Sequence, residues 1–413
     1  MAAAATPDRS APRAALKSGD HSRDGRGRIR AMPPILHYGF RPFFFLAALH
    51  AGLTIPAWVA AYLGGFDIGG PFGGMHWHAH EMLFGYLGAV IAGFILTAIP
   101  NWTGRLPLSG LPLAALVGLW LAGRAACLLS PDPWLAMAVD LAFPVTLGLA
   151  IWREVIAGRN WKNAPVAVMI TLFGCANAMD HLANAGLVDH DLGQRMALAV
   201  AAMLIALIGG RIVPSFTRNW LVKDGASLLP ASFGRVDRAA LAMTAAAMVG
   251  WMVLPGHAAV GALLCAAGAL LATRLLRWRG AATIREPIVF VLHLGYGWLA
   301  VALSLLGLAI LMPDFIPASS ALHALTAGAV GTMTLAVMTR ASLGHTGRAI
   351  VADRFVVAMY VMVSAGALLR VAAPFSGEWY SHMLGSGGGL WSGAFLLFAF
   401  RYAPVLFGRR FGA

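Results

Sequence analysis

The chain holds thirteen histidines, and three of them crowd into one stretch, Met75-His76-Trp77-His78-Ala79-His80-Glu81. Near neutral pH, imidazole is the side chain best suited to ligate iron, copper or zinc. On a helix His76 and His80 share a face and His78 points the other way; in an extended segment all three share a side. The preceding Gly73-Gly74 permits either. The spacing reads as a ligand set for a metal or a haem, and the plainer alternative is a polar helix start at a membrane surface. His181, beside Asp180, and His323 open or close other apolar runs at a similar depth. Three separated segments thus offer imidazole at one level, as a buried haem or copper requires. His80 and His323 are the expected haem-ligand pair, with His76, His78 and His181 as ligands for copper or a second haem.

Other groups could serve the same site. His293, in His293-Leu-Gly-Tyr-Gly-Trp298, is either a further haem ligand or a packing residue. His345 lies between Arg340 and Arg348, and Arg340 with His345 could hold haem propionates or another anion. Glu81 and Arg211 are the catalytic candidates. A carboxyl inside the membrane edge can pass protons, and Arg211 is flanked by Gly209-Gly210 and Pro214, which free backbone groups to line a cavity. Snorkelling to the interface explains Arg211 equally well. Arg124 and Asp140 are expected to pair across neighbouring spans in a structural role. His37, His50, His190, His257 and His382 read as interfacial or loop residues, and Cys127, Cys175 and Cys265 as small core hydrophobes.

The elements that must position these groups are membrane helices. Of 413 residues, 59% are hydrophobic and 11% charged, with a mean hydropathy of +0.74, against roughly 25% charged in a soluble domain. A soluble enzyme is excluded. A span needs about 20 apolar residues, and twelve such runs are expected, near 41–63, 79–99, 111–130, 134–152, 164–187, 195–214, 237–255, 258–276, 288–311, 321–340, 354–373 and 387–407. Odd-numbered connections carry Asp67, Asp132, Asp189, Asp191, Asp314 and Glu378, with Arg195 their one basic residue. Even-numbered connections carry Arg105; Arg153, Arg159 and Lys162; Arg218, Lys223 and Arg235; Arg274, Arg277, Arg279 and Arg285; and Arg348, and both termini are basic. Positive loops face the cytoplasm, so an all-α bundle with both termini cytoplasmic follows, and the net charge of +13 reflects topology rather than nucleic-acid binding. Residues 1–30 read as a disordered basic cytoplasmic arm and 31–413 as one transmembrane domain. No Walker loop, GxGxxG, HExxH, CxxC or CxxCH is present, so a haem here would be b-type and non-covalently held.

Six stretches carry a family resemblance: Gly39-Phe-Arg-Pro-Phe-Phe-Phe45, Trp77-His-Ala-His-Glu-Met-Leu-Phe-Gly85, Phe94-Ile-Leu-Thr-Ala-Ile-Pro-Asn-Trp-Thr-Gly104, Gly209-Gly-Arg-Ile-Val-Pro-Ser-Phe-Thr-Arg-Asn-Trp220, His293-Leu-Gly-Tyr-Gly-Trp298 and Leu335-Ala-Val-Met-Thr-Arg-Ala-Ser-Leu-Gly-His-Thr-Gly-Arg348. In order and spelling the chain resembles the NnrS family, haem- and copper-containing membrane proteins of the bacterial nitric oxide response. The resemblance implies bound haem and copper and a role in nitrosative stress, in the bacterial inner membrane; it assigns no ligands. A looser likeness to haem–copper oxidases and respiratory nitric oxide reductases rests on twelve spans with histidines on the second and tenth. It breaks at the copper histidine pairs, which this chain lacks.

The expected function is therefore a haem/copper protein that binds nitric oxide and reduces it to nitrous oxide, with electrons from quinol or another donor. A non-catalytic sensor or haem carrier is the first alternative. A secondary transporter is the second, weakened by the absence of a visible repeat.

Overall fold

The computed structural model describes residues 32–411, and the basic arm expected over 1–30 lies outside them. It has twelve helices long and apolar enough to cross a membrane. They are α1 (Phe40–Gly64), α2 (Gly74–Pro100), α3 (Leu111–Leu129), α4 (Pro133–Ala157), α5 (Trp161–Asn184) and α6 (Leu192–Lys223). The second half comprises α7 (Arg235–Val253), α8 (Ala258–Leu276), α9 (Pro287–Leu311), α10 (Ala318–His345), α11 (Arg354–Phe375) and α12 (Gly377–Phe407). Local chemistry starts several of them. Pro133 and Pro287 occupy first-turn positions that need no N–H donor. Asp132 and Asp353 cap α4 and α11, accepting from Trp134 N and from Phe355 and Val356 N.

All twelve expected spans are present, and several are longer than hydropathy suggested, α2, α6 and α12 most notably. α2 begins at Gly74, which brings His76 and His78 onto the helix; α6 runs on to Lys223; α12 begins at Gly377. The run Gly385-Ser-Gly-Gly-Gly389 lies inside α12, not at its start. Its reason is packing: a Cβ on Gly387 would stand 3.1 Å from the Gly366 carbonyl oxygen on α11. Small residues let membrane helices approach this closely.

Helices α2, α6 and α10 are the most buried. They lie four spans apart, and each carries a widened π-helical stretch: Glu81–Leu87, Ile205–Gly209 and Ala324–Val330. Each stretch offers a carbonyl to a donor from another helix. Trp120 Nε1 donates to Gly85 O, Arg274 Nη1 to Ala206 O, and Trp391 Nε1 to Ala327 O, at 3.0, 2.8 and 3.1 Å. In hydrocarbon an irregular turn persists only when its polar groups are satisfied in this way. The start of α1 and the end of α12 meet at one end of the bundle. Buried Arg41, at the start of α1, donates through Nη1 to the carbonyls of Leu406, in the last turn of α12, and of Gly408, just after it, at 2.6 and 2.8 Å. The histidine-bearing starts of α2 and α10 lie at the opposite, distal end.

Candidate metal centre and adjoining cavity

At the distal end α2 to α5 converge on buried polar groups. His80 (α2), Cys127 (α3), Asp140 (α4) and His181 (α5) each offer one ligand atom, and these atoms all lie within 4.8 Å of one another. His80 Nε2 is 3.3 Å from Asp140 Oδ2 and 3.6 Å from Cys127 Sγ, and His181 Nε2 is 3.2 Å from the same Asp140 oxygen. Four ligands at tetrahedral corners, each roughly 2.0–2.3 Å from an ion, stand about 3.3–3.8 Å apart. The donor set and its spacing therefore fit a metal ion.

The surroundings fit one as well. His80 Nδ1 donates to Asp180 Oδ2 at 2.8 Å. A carboxylate on the far nitrogen fixes the ring and turns Nε2 to the ion. Asn177 Nδ2 donates to Asp140 Oδ2 at 2.8 Å. Arg124 bonds the other Asp140 oxygen and donates from Nη1 to Glu81 Oε1 at 2.7 Å. Glu81 Oε2 lies 2.9 Å from His50 Nε2. His76 Nε2 approaches Asp180 Oδ1 to 3.0 Å, but neither atom completes a hydrogen bond, so that contact is electrostatic. Arg124 thus pairs with Glu81 and Asp140, while the third carboxylate, Asp180, has only the imidazoles of His76 and His80 beside it. Unneutralised charge is costly at this depth, and a divalent cation would balance the excess. Phe72, from the α1–α2 connection, closes the group off, its ring stacked 4.4 Å from His80 and 5.2 Å from His181.

The other face of α2 borders a cavity of about 1060 Å³, at the upper end of the roughly 300–1,000 Å³ typical of ligand pockets. His78 and His323 line it with near-parallel rings, 6° apart in plane and 6.5 Å between centroids. Two imidazoles on opposite sides of one ion, each with a metal–nitrogen distance of roughly 2 Å and its ring centre about 1 Å further back, stand about 6 Å apart. His323 Nδ1 donates to the Ser319 carbonyl at 2.7 Å, which leaves its Nε2 as the ligand atom. His78 Nδ1 is buried without a partner. Arg195 and Arg370 also line the cavity, and Arg370 Nη1 is buried and unpaired. Such a guanidinium calls for an anionic oxygen. Trp58, Tyr86 and Trp391 supply apolar walls.

The expected site residues are distributed between these places. His80 and His181 join the four-residue group, His76 approaches its edge, and Glu81 joins its ion pairs. His323 stands opposite His78 rather than His80, because the helical phase of α2 sends alternate histidines to opposite faces. Arg211, His293, Arg340 and His345 are not brought to the distal end. Arg211 is exposed on α6. His293 bonds Thr217 through Nε2 at 2.8 Å in the early turns of α9. The Arg340 guanidinium covers the Phe216 ring at 3.8 Å, and His345 packs beside Phe40. Arg124 and Asp140 pair as expected. Cys127 and Asp140 as potential ligands, and His50 as the partner of Glu81, were not anticipated.

The sequence profile of the NnrS protein family matches residues 34–410 of the chain. No curated protein matches it.

Proposed function

The chain belongs to the NnrS protein family, and from that premise we propose that it is a haem- and copper-binding protein of the bacterial cytoplasmic membrane that takes up nitric oxide during nitrosative stress. The observation that carries this reading is the pairing of His78 with His323 across the large cavity, 6.5 Å apart and nearly parallel. The two imidazoles would hold haem there, with Arg370 and Arg195 as partners for its propionates. His80, Cys127, Asp140 and His181 would hold copper, because a thiolate with two imidazoles suits that metal. Once bound, the haem and the copper would supply two redox centres, one able to take up nitric oxide.

The chain's own residues fix how uptake proceeds. His323 is anchored through Ser319, whereas His78 has no partner on Nδ1. Of the two imidazoles that would hold haem, His78 is therefore the less firmly anchored. Asp180 orients His80 on one face of α2, and His78 lies on the other, so the two sites are separate. Glu81 Oε2 and His50 Nε2, 2.9 Å apart, hold a proton at the edge of the copper group. Turnover would consume two nitric oxide molecules, two electrons and two protons to give nitrous oxide and water, with quinol or another reductant as the donor.

The test is to purify the protein in detergent, reduce it, add nitric oxide, and follow the absorbance and the loss of nitric oxide together. A haem band that shifts while nitric oxide disappears and nitrous oxide accumulates supports a reductase. A shift without consumption supports a sensor or carrier. A folded protein with no haem band overturns the reading.

A further inference from the structure

Midway along the spans lies a second void, of about 100 Å³, enclosed by α2, α5, α6 and α10. Its walls are apolar, Ile91, Ile170, Leu204, Ile208 and Met333 among them. One hydroxyl lines it, that of Thr334, and it is already engaged with Tyr86 Oη at 2.5 Å and with the Val330 carbonyl at 2.7 Å. A water molecule needs two to four polar partners, and apolar cavities of roughly 150 Å³ stay dry yet accept xenon. The chamber therefore suits a small uncharged guest and not water.

Its neighbours give the chamber a direction. Leu87 and Val330 line both it and the 1060 Å³ cavity. Ile91 and Ile170 line both it and a narrow void of about 20 Å³ between Phe84, Phe143 and Phe173. That narrow void ends at Asn177, which donates to Asp140 of the four-residue group. One apolar chamber thus abuts the histidine-lined cavity on one side and reaches toward the metal-ligand group on the other. Phe94, Ile208 and Val337 in its wall are only half-buried, so it is not sealed from the outside of the bundle. At this height the outside is hydrocarbon. The π-helical stretches of α2, α6 and α10 end or begin at its lining residues Leu87, Ile205 and Val330.

We propose that this chamber is a docking and transit site for a small neutral gas of the nitric oxide class, which enters from the bilayer core and branches to the two distal sites. The choice of gas rests on the function proposed above; the apolar binding site does not. Xenon is the probe, with its position read by anomalous diffraction from pressurised crystals of the full chain. The expected result is a xenon peak between Ile91, Ile208 and Met333. In the haem-loaded protein, Ile208→Phe, a residue that lines the chamber and not the large cavity, should slow gas rebinding after flash photolysis about tenfold and leave the resting absorbance unchanged. A chamber without xenon overturns the docking site. Unchanged rebinding in Ile208→Phe, with its crystal showing the chamber filled, overturns the transit route. A protein lacking haem would overturn the earlier reading alone, since the xenon result would still decide the docking site.

Discussion

Asp180→Asn isolates the link between the ion-pair network and metal binding. Asp180 accepts from His80 Nδ1 at 2.8 Å and touches no other member of the four-residue group through a hydrogen bond. The substitution preserves side-chain volume and one acceptor oxygen but removes a buried negative charge. Loss of such an outer carboxylate weakens metal affinity by roughly 10–100-fold, about 1.4–2.7 kcal/mol. We expect the lower half of that range, because one acceptor oxygen for His80 Nδ1 remains and only the buried negative charge is lost. Competition for copper(I) against a chromophoric chelator, in detergent and at fixed pH, measures it directly. The haem absorbance of the same sample should not move, since His78 and His323 lie on the other face of α2. Full copper affinity in Asp180→Asn would refute the assignment of His80 as a ligand held by Asp180. A changed haem spectrum would refute the separation of the two sites.

Three further outcomes follow from the same geometry. His78→Ala and His323→Ala should each abolish a six-coordinate haem spectrum, while His80→Ala and His257→Ala leave it intact, as read by absorbance of the purified variants. Arg124→Gln strands Glu81 and Asp140 without their cation and should cost about 3–5 kcal/mol, seen as a lower unfolding temperature in detergent. Burial pushes the Asp353 carboxyl up, but the Val356 N–H and the Arg401 guanidinium outweigh it and hold it below the ordinary carboxylate range. Its folded pKa is depressed, so its stabilisation is complete above the unfolded value of about 3.9 and is lost as pH falls below that. Asp353→Asn should remove this pH dependence, measurable by thermal melts between pH 3 and pH 6.

The spans were legible because hydrophobic length and alternating loop charge are one-dimensional signals, and the structure has all twelve at the expected places. Helix ends were less so. Gly73-Gly74 and the glycine run of α12 look like breaks, yet both lie within or at the start of helices, where tertiary packing overrides intrinsic propensity. The histidine cluster of α2 has the expected face relation, with His76 and His80 on one side and His78 on the other. Which partner each would meet depended on the packing of α3, α4, α5 and α10, and no spacing rule carries that. Cys127 was read as a core hydrophobe because an isolated cysteine in an apolar run has no sequence partner. Asp140 was correctly paired with Arg124, but that pairing concealed its second oxygen, which faces His80 and His181. One signal could have exposed the group: Arg124, Cys127, Asp140, Asn177, Asp180 and His181 fall at successive helical turns, on three consecutive spans, at one depth.

The most direct test of the account is the haem and metal content of the purified full chain, with electron paramagnetic resonance of the oxidised protein. The account predicts one haem carrying two imidazole ligands and one copper per chain, with Cys127→Ser losing the copper and keeping the haem. A folded protein that binds neither haem nor copper, or whose copper survives both Cys127→Ser and His181→Ala at full affinity, would contradict it.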